Sequence, residues 1–356
     1  MPTRTDEELM MNLENLRTVY DNQGPFATIY LEGRSPAADA EKQVRLRWDE
    51  LRENLANAGA ADELLALLDD ALIVDDITEV QTDGRILVAN ADGIVLDEHW
   101  DAALGTGDIA HYGRVPELGA YLREGVRLVD VVLIIADQEG ATIRELRVSP
   151  QHEAKQHDES LVSGDNDEDI HAPREGAMSH NQIRRRADEI IKDNARAVAD
   201  HVDAIVRARV PDLVVVAGEV QGRTAVKAEL STRVNELLEE TSQGGTDDDA
   251  AEEALYDALK SLASDHVQAK QSEQTENLSY SKAHDLAVEG QKKVSQAVSR
   301  GAVATVLLNY DVGSDGEGPI LAEAVLSSAE VGLVDGDVAD GIAAILRYDA
   351  ATALAD

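Results

Sequence analysis

Apolar residues recur along this chain with two periods, and the switches between them mark its elements. Leu9, Leu13, Leu16 and Tyr20 sit at helical spacing within residues 6–20. Gly24-Pro25 breaks that helix, and Phe26-Ala27-Thr28-Ile29-Tyr30-Leu31 reads as a strand. After a loop at 33–36, Val44, Trp48, Leu51 and Leu55 form one face of a helix, and Leu64, Leu65, Leu68 and Leu72 form the face of another. Arg85–Ala89 and Gly93–Leu96 flank Asn90-Ala91-Asp92, a short hairpin. Residues 1–125 thus read as one α+β domain.

Two apolar runs then face each other across a tight turn: Leu128–Ala136, the turn Asp137-Gln138-Glu139-Gly140, and Ala141–Val148. A long polar loop follows. Its part 158–169 is acidic and of low complexity, the composition of a solvated, mobile segment. The next helix, Asn181 to Arg209, carries Ile183, Ala187, Ile190, Ile191, Ala195, Val198, Val202, Ile205 and Val206 as an amphipathic stripe, and Pro211 ends it before the strand Leu213–Gly218. A Gly244-Gly245 turn and Asp247-Asp248-Asp249 introduce a helix with Leu255 and Leu259. Beyond it the pattern gives a helix with Ala287, Val294 and Val298, a strand Val303–Leu308, a Gly/Asp-rich loop at 311–318 and a last apolar run at 342–346. These segments divide the chain into 1–125, 126–262 and 263–356. The expected class is α/β and α+β, with mixed sheets flanked by helices. No internal repeat is visible.

Composition narrows the chemistry. The 356 residues include 70 acids against 32 bases, a formal net charge of −38. A polyanion of this kind is repelled by nucleic acid at long range, so any contact with RNA needs a local basic patch. Only 3% of residues are aromatic, with Phe26 the single Phe, so the cores are aliphatic. Cys is absent, which excludes disulfides, thiolate metal sites and a Cys nucleophile and fits a reducing cytoplasm. No apolar run approaches the ~18 residues of a membrane span, and the acidic start Met1–Glu8 has no apolar core of a signal peptide.

Several constellations dissolve on inspection. Asp165, Asp167 and Asp169 have calcium-loop spacing, but the Gly and Glu such a loop needs later are replaced by Ile170 and Gly176. His152, His157, His171 and His180 lack the i, i+4 spacing of a helical zinc pair, so no metal is expected. Gly105-Thr106-Gly107 has no βαβ unit around it, so no dinucleotide cofactor is expected. Phosphate-binding-loop and Gly-x-Ser-x-Gly motifs are missing. The best chemical feature is basic. The segment 174–196 holds Arg174, Arg184, Arg185, Arg186, Lys192 and Arg196 against Glu175, Asp188, Glu189 and Asp193. Arg185, Lys192 and Arg196 share one flank of the helix, as a phosphate-facing stripe would; the same residues also suit a solvated helix with i, i+4 ion pairs.

The order of elements in 126–348 resembles the archaeal and eukaryotic class 1 release factors and Pelota. The resemblance rests on the hairpin, the long loop, the basic helix, the strand ending Val216-Ala217-Gly218 and the Gly244-Gly245 turn. It extends to Ala297-Val298-Ser299-Arg300-Gly301-Ala302-Val303 and, most specifically, to Gly341-Ile342-Ala343-Ala344-Ile345-Leu346-Arg347-Tyr348. Release factors carry Gly-Gly-Gln in the loop before the basic helix. Here that loop reads His171-Ala172-Pro173-Arg174-Glu175-Gly176-Ala177-Met178-Ser179-His180-Asn181, and the tripeptide is missing. Residues 1–125 fit less well and show no Asn-Ile-Lys-Ser-type stop-codon motif. The layout looks closest to the bacterial branch of Balon and its actinobacterial relatives, which are ribosome hibernation factors. That resemblance implies a three-domain, non-enzymatic factor of the cytoplasm that enters the vacant A site of the 70S ribosome. It also implies contact with 16S and 23S rRNA, elongation factor Tu and stalk-base proteins, and no engagement of DNA or membrane. Arg174, His180, Asn181, Arg184, Arg185, Arg186, Lys192 and Arg196 would then contact ribosomal RNA. Two alternatives stay open: a rescue factor hydrolysing peptidyl-tRNA, with His180, Asn181 or Gln182 positioning water, and an acidic stress adaptor that does not bind ribosomes.

Overall fold

The computed structural model describes residues 16–32, 40–72, 84–100, 107–150, 155–163, 180–244, 249–313 and 316–354. The chain forms two compact units: Met1–Val126 together with Ala269–Asp356, and Arg127–Gln268. Three sheets flanked by helices, one antiparallel and two mixed, make up the α/β and α+β architecture.

The first sheet has the order β3-β2-β1-β4 and is antiparallel throughout. After the short helix α1 (Leu16–Tyr20), β1 (Phe26–Leu31) occupies its middle. All six residues of β1 are buried because both faces are covered. Ala27, Ile29 and Leu31 meet the stripes of α2 (Ala40–Asn57) and α3 (Asp62–Leu72), while Phe26 and Tyr30 enter a second cluster on the other face. β2 (Arg85–Asn90) alternates likewise, with Leu87 and Ala89 on the α2/α3 side and Ile86 and Val88 opposite. The hairpin to β3 (Gly93–His99) turns on Asn90, whose Oδ1 accepts from the amides of Asp92 and Gly93 at 2.9 and 3.2 Å. The pattern did not announce β4 (Ile109–Gly113) or α4 (Gly119–Gly125). β4 is a half-buried edge strand with only short apolar content, and it follows Gly107 where a dinucleotide motif would need a helix. Residues 6–15 of the expected first helix lie outside the described residues.

In the second unit the order is β7-β6-β5-β8-β9. β5 (Val129–Ala136) pairs antiparallel with β6 (Gly140–Val148) and parallel with β8 (Leu213–Gly218). The tight turn is held by Asp137, whose Oδ1 accepts from the amides of Glu139 and Gly140, both at 2.7 Å. β7 (Lys155–Ser163) corrects the expectation of an acidic loop starting at 158. Asp158, Glu159 and Ser160 are strand residues paired to β6. The strand tolerates the charge because Arg144 of β6 binds Glu159 at 2.8 Å, while Val162 packs on the core. Residues 164–170 lie outside the described residues. α5 (His180–Arg209), α6 (Val220–Glu229) and α7 (Thr232–Asn235) cover one face of the sheet before the short β9 (Leu238–Glu240). Leu255, Leu259, Ala263 and Val267 of α8 (Asp249–Ala283) cover the other. At the strand ends Gly218 has φ +96°, and a Cβ there would lie 2.2 Å from the Ala136 carbonyl oxygen, so only glycine lets the chain leave β8 against β5.

The third sheet, β10-β13-β11-β12, belongs to the same unit as the first. α8 runs to Ala283, so the sequence boundary at 262/263 falls inside this one helix. β10 (Ala287–Glu289) contains Ala287, which the periodicity had placed in a helix; that helix is the shorter α9 (Gln291–Val298). A three-residue strand is too brief to show a period of two. β11 (Val303–Asn309), α10 (Glu317–Leu326), β12 (Glu330–Val334), β13 (Ile342–Leu346) and α11 (Ala350–Ala353) complete the chain. β12 is an edge, and α8 side chains take the place of a neighbouring strand: Gln274 Oε1 accepts from the Leu333 amide at 2.8 Å and Thr275 Oγ1 from Asp335 at 3.0 Å.

The first and third sheets share one core cluster, which brings Phe26, Tyr30, Ile86 and Val88 together with Val306, Leu308, Leu321 and Ile342. That core also carries charge. Arg123 of α4 donates to both oxygens of Glu317 at 2.5 and 2.9 Å, and to the carbonyls of Asn309 and Val312 at 2.8 and 3.1 Å. Both side chains are almost fully buried, 6% and 4% exposed.

Candidate nucleic-acid interface

α5 is the scaffold of the basic segment. Ala195, Val198, Ala199, Val202 and Val206 are buried against the second sheet, which leaves the polar flank of the helix outward. Asn194 ties the helix to the β5–β6 turn by donating to the Gln138 carbonyl at 3.2 Å. β7 ends beside the same turn, with Ser163 paired to Gly140, so loop and helix leave and enter one end of the sheet. The loop itself, including Arg174, lies outside the described residues. His180, Asn181, Arg184, Arg185 and Arg186 occupy the first two turns of α5, described as backbone only.

Lys192 and Arg196 are brought together, but onto a carboxylate. Glu229 at the end of α6 lies 3.7 Å from Lys192 Nζ and 3.3 Å from Arg196 Nε, while both cations stay 61% and 55% exposed. Farther along, Arg207 pairs with Asp203 at 3.4 Å and Arg209 with Glu145 at 3.2 Å. Every α5 cation whose side chain is described therefore has a carboxylate within 4 Å, but only Arg207–Asp203 is an i, i+4 pair within the helix; the others reach Glu229 and Glu145 on neighbouring elements. Two cations on one carboxylate still leave the Lys192–Glu229–Arg196 group at +1. The neighbouring sheet end is acidic, with Asp137, Glu139 and Glu219 exposed.

Sequence reasoning missed a second basic group. Lys292, Lys293 and Arg300 on and after α9, with Arg17 and Arg347, are exposed and have no carboxylate partner among the described residues. A signal was present in the chain: residues 290–310 contain no Asp or Glu. Among the described residues no group of three or more His, Asp or Glu could hold a metal ion, and no helix is long and apolar enough to cross a membrane.

The hairpin, the basic helix and the parallel strand β8 lie in one segment of the chain that is similar to known proteins. Residues 130–284 match the family described as "Bacterial archaeo-eukaryotic release factor family 2". Two Mycobacterium tuberculosis proteins, "Uncharacterized protein Rv2629" of strain H37Rv and "Uncharacterized protein MT2704" of strain CDC 1551, are each 24% identical over 316 residues, covering 87% of this chain and 80% of theirs. Among solved structures, the archaeal Pelota of "Model of ribosome-bound archaeal Pelota and ABCE1" is similar with a TM-score of 0.42 and 13% identity over 98% of this chain and 99% of that one. Pelota from Archaeoglobus fulgidus gives 0.32 and 12% over 98% of both chains, and the archaeal termination factor aRF1 gives 0.25 and 16% over 97% and 99%.

Proposed function

We propose that this protein is a non-enzymatic ribosome-binding factor. It occupies the vacant A site of the 70S particle and blocks the decoding and peptidyl transferase centres under stress. One observation carries the reading. The segment matching a release-factor family contains the loop between β7 and α5, and Gly-Gly-Gln occurs neither in that loop nor anywhere else in the chain. Release chemistry needs a group that places water on the ester carbonyl, and a chain keeping the scaffold without that tripeptide suits occupation better than hydrolysis. Loop 171–181 reaches the catalytic centre in this reading, and Arg184, Arg185 and Arg186 set α5 on ribosomal phosphates. Acidic faces point to solvent or to basic ribosomal proteins, with elongation factor Tu and the stalk base as further neighbours. In a pelleting assay, R184E/R185E/R186E should lose co-sedimentation with 70S ribosomes that the wild type retains. Undiminished pelleting of the variant overturns the assignment. Free peptide appearing from peptidyl-tRNA-loaded ribosomes would overturn the non-enzymatic part.

A further inference from the structure

We infer a second RNA-contacting surface in the other compact unit, formed by α9 and the turns beside it. Its core is a chain of contacts around two backbone corners. Arg347 donates to the Gly301 carbonyl at 3.1 Å and to the carbonyls of Ser327 and Ser328 at 3.2 and 3.4 Å. Arg17 reaches Ser328 Oγ at 3.5 Å, and Arg300, next to Gly301, donates to the Ala353 carbonyl at 3.2 Å. Three guanidinium groups are thus joined through Ser328 and Gly301 along one stretch of surface. Lys292 and Lys293 are exposed in the first turn of α9 and Arg300 in the turn that follows its end, so the cations flank both ends of this short helix. All these side chains are exposed and none has a carboxylate partner among the described residues.

The absence of acids is what makes the surface informative. The chain carries 70 acids in 356 residues, so a segment as long as 290–310 should hold about four at random, and it holds none. The acid-free character belongs to 290–310 itself: Asp349, two residues from Arg347, is an exposed carboxylate that accepts from the amide and hydroxyl of Thr352, and Asp340 accepts from the Gln291 amide. Unpaired, exposed cations repel one another, which opposes folding slightly and favours any polyanion that separates them. Exposed guanidinium and ammonium groups strung along a surface suit the repeated phosphates of an RNA backbone, which Arg can bind in a bidentate way. The inference rests on the proposed function only in taking RNA as the polyanion; the surface itself is separate from α5.

Binding of the full chain to a fluorescent single-stranded RNA of about 20 nucleotides, across a series of salt concentrations, tests it. Each lost phosphate contact lowers the salt slope by about 0.7. K292E/K293E/R300E should reduce the slope by about 2 and so shrink the affinity loss between about 50 and 200 mM salt by roughly twentyfold. The milder K292Q/K293Q, which spares the Arg300–Ala353 contact, should reduce the slope by about 1.4. Matching thermal melts exclude loss of the fold. Unchanged slopes in both variants overturn the inference, as does a wild type that leaves the RNA unbound at about 50 mM salt. A polyglutamate probe that senses the substitutions while RNA does not would also overturn it. If RNA binding behaves as expected while ribosome pelleting fails, the proposed function falls and this surface stands.

Discussion

One ion pair from each compact unit shows two opposite ways of holding a cation. In the first, Arg123 and Glu317 are almost fully buried, with four hydrogen bonds on the guanidinium. In the second, Lys192 and Arg196 share Glu229 at the surface, more than half exposed. Burial decides what such a pair does. A buried pair with four of the five guanidinium donors bonded fixes one arrangement of the elements it joins, here α4 against the start of α10 and the end of β11. An exposed pair contributes little to stability but sets how much charge a surface offers to a partner.

The largest effect should come from breaking the buried pair. Glu317→Ala leaves a desolvated guanidinium without its counter-charge and should cost about 3–5 kcal/mol in urea unfolding. A loss below about 1 kcal/mol would mean that the two pairs do not differ as their burial implies. Glu229→Gln should change stability by no more than about 0.5 kcal/mol. It should instead release Lys192 and Arg196 for phosphate and steepen the salt dependence of RNA binding by about one unit of slope. A stability loss as large as that of Glu317→Ala would erase the contrast. The smallest effect concerns His111 on β4, whose pKa is lowered from 6.5 by partial burial. The unfolded chain then binds a proton more readily than the folded one, so this residue's contribution is present above about pH 6.5 and is lost as pH falls below it. His111→Gln should remove that acid-side loss in paired melts at about pH 7 and 5.5.

Much of the fold was legible because its central strands are covered on both faces. Leu213–Gly218 reads as an unbroken apolar run and Phe26–Leu31 as one interrupted only by Thr28, and their alternate apolar residues do enter different clusters. The stripes of α2, α3 and α5 were equally plain, since each helix buries one face only. Edge strands were not. β7 hid behind Asp158 and Glu159 because its pairing depends on Arg144 across the ladder, which no local window contains. The Arg123–Glu317 pair spans 194 positions, and nothing near either residue announces the other. At the candidate interface the basic character of α5 was readable, whereas its pairing with Glu229 needed α6 in place. The acid-free stretch 290–310 was readable too, but its joining to Arg17 and Arg347 depends on turns far apart in the chain.

We propose that a chain whose middle segment matches a release-factor family but lacks Gly-Gly-Gln occupies the ribosome rather than acting on its substrate. Pelleting of the full chain with vacant 70S ribosomes at about 100 mM salt, beside R184E/R185E/R186E, tests it most directly. The account predicts stoichiometric co-sedimentation of the wild type, displaced by A-site tRNA, and loss of it in the variant. A wild type that stays in the supernatant, or a variant that pellets equally well, would contradict it.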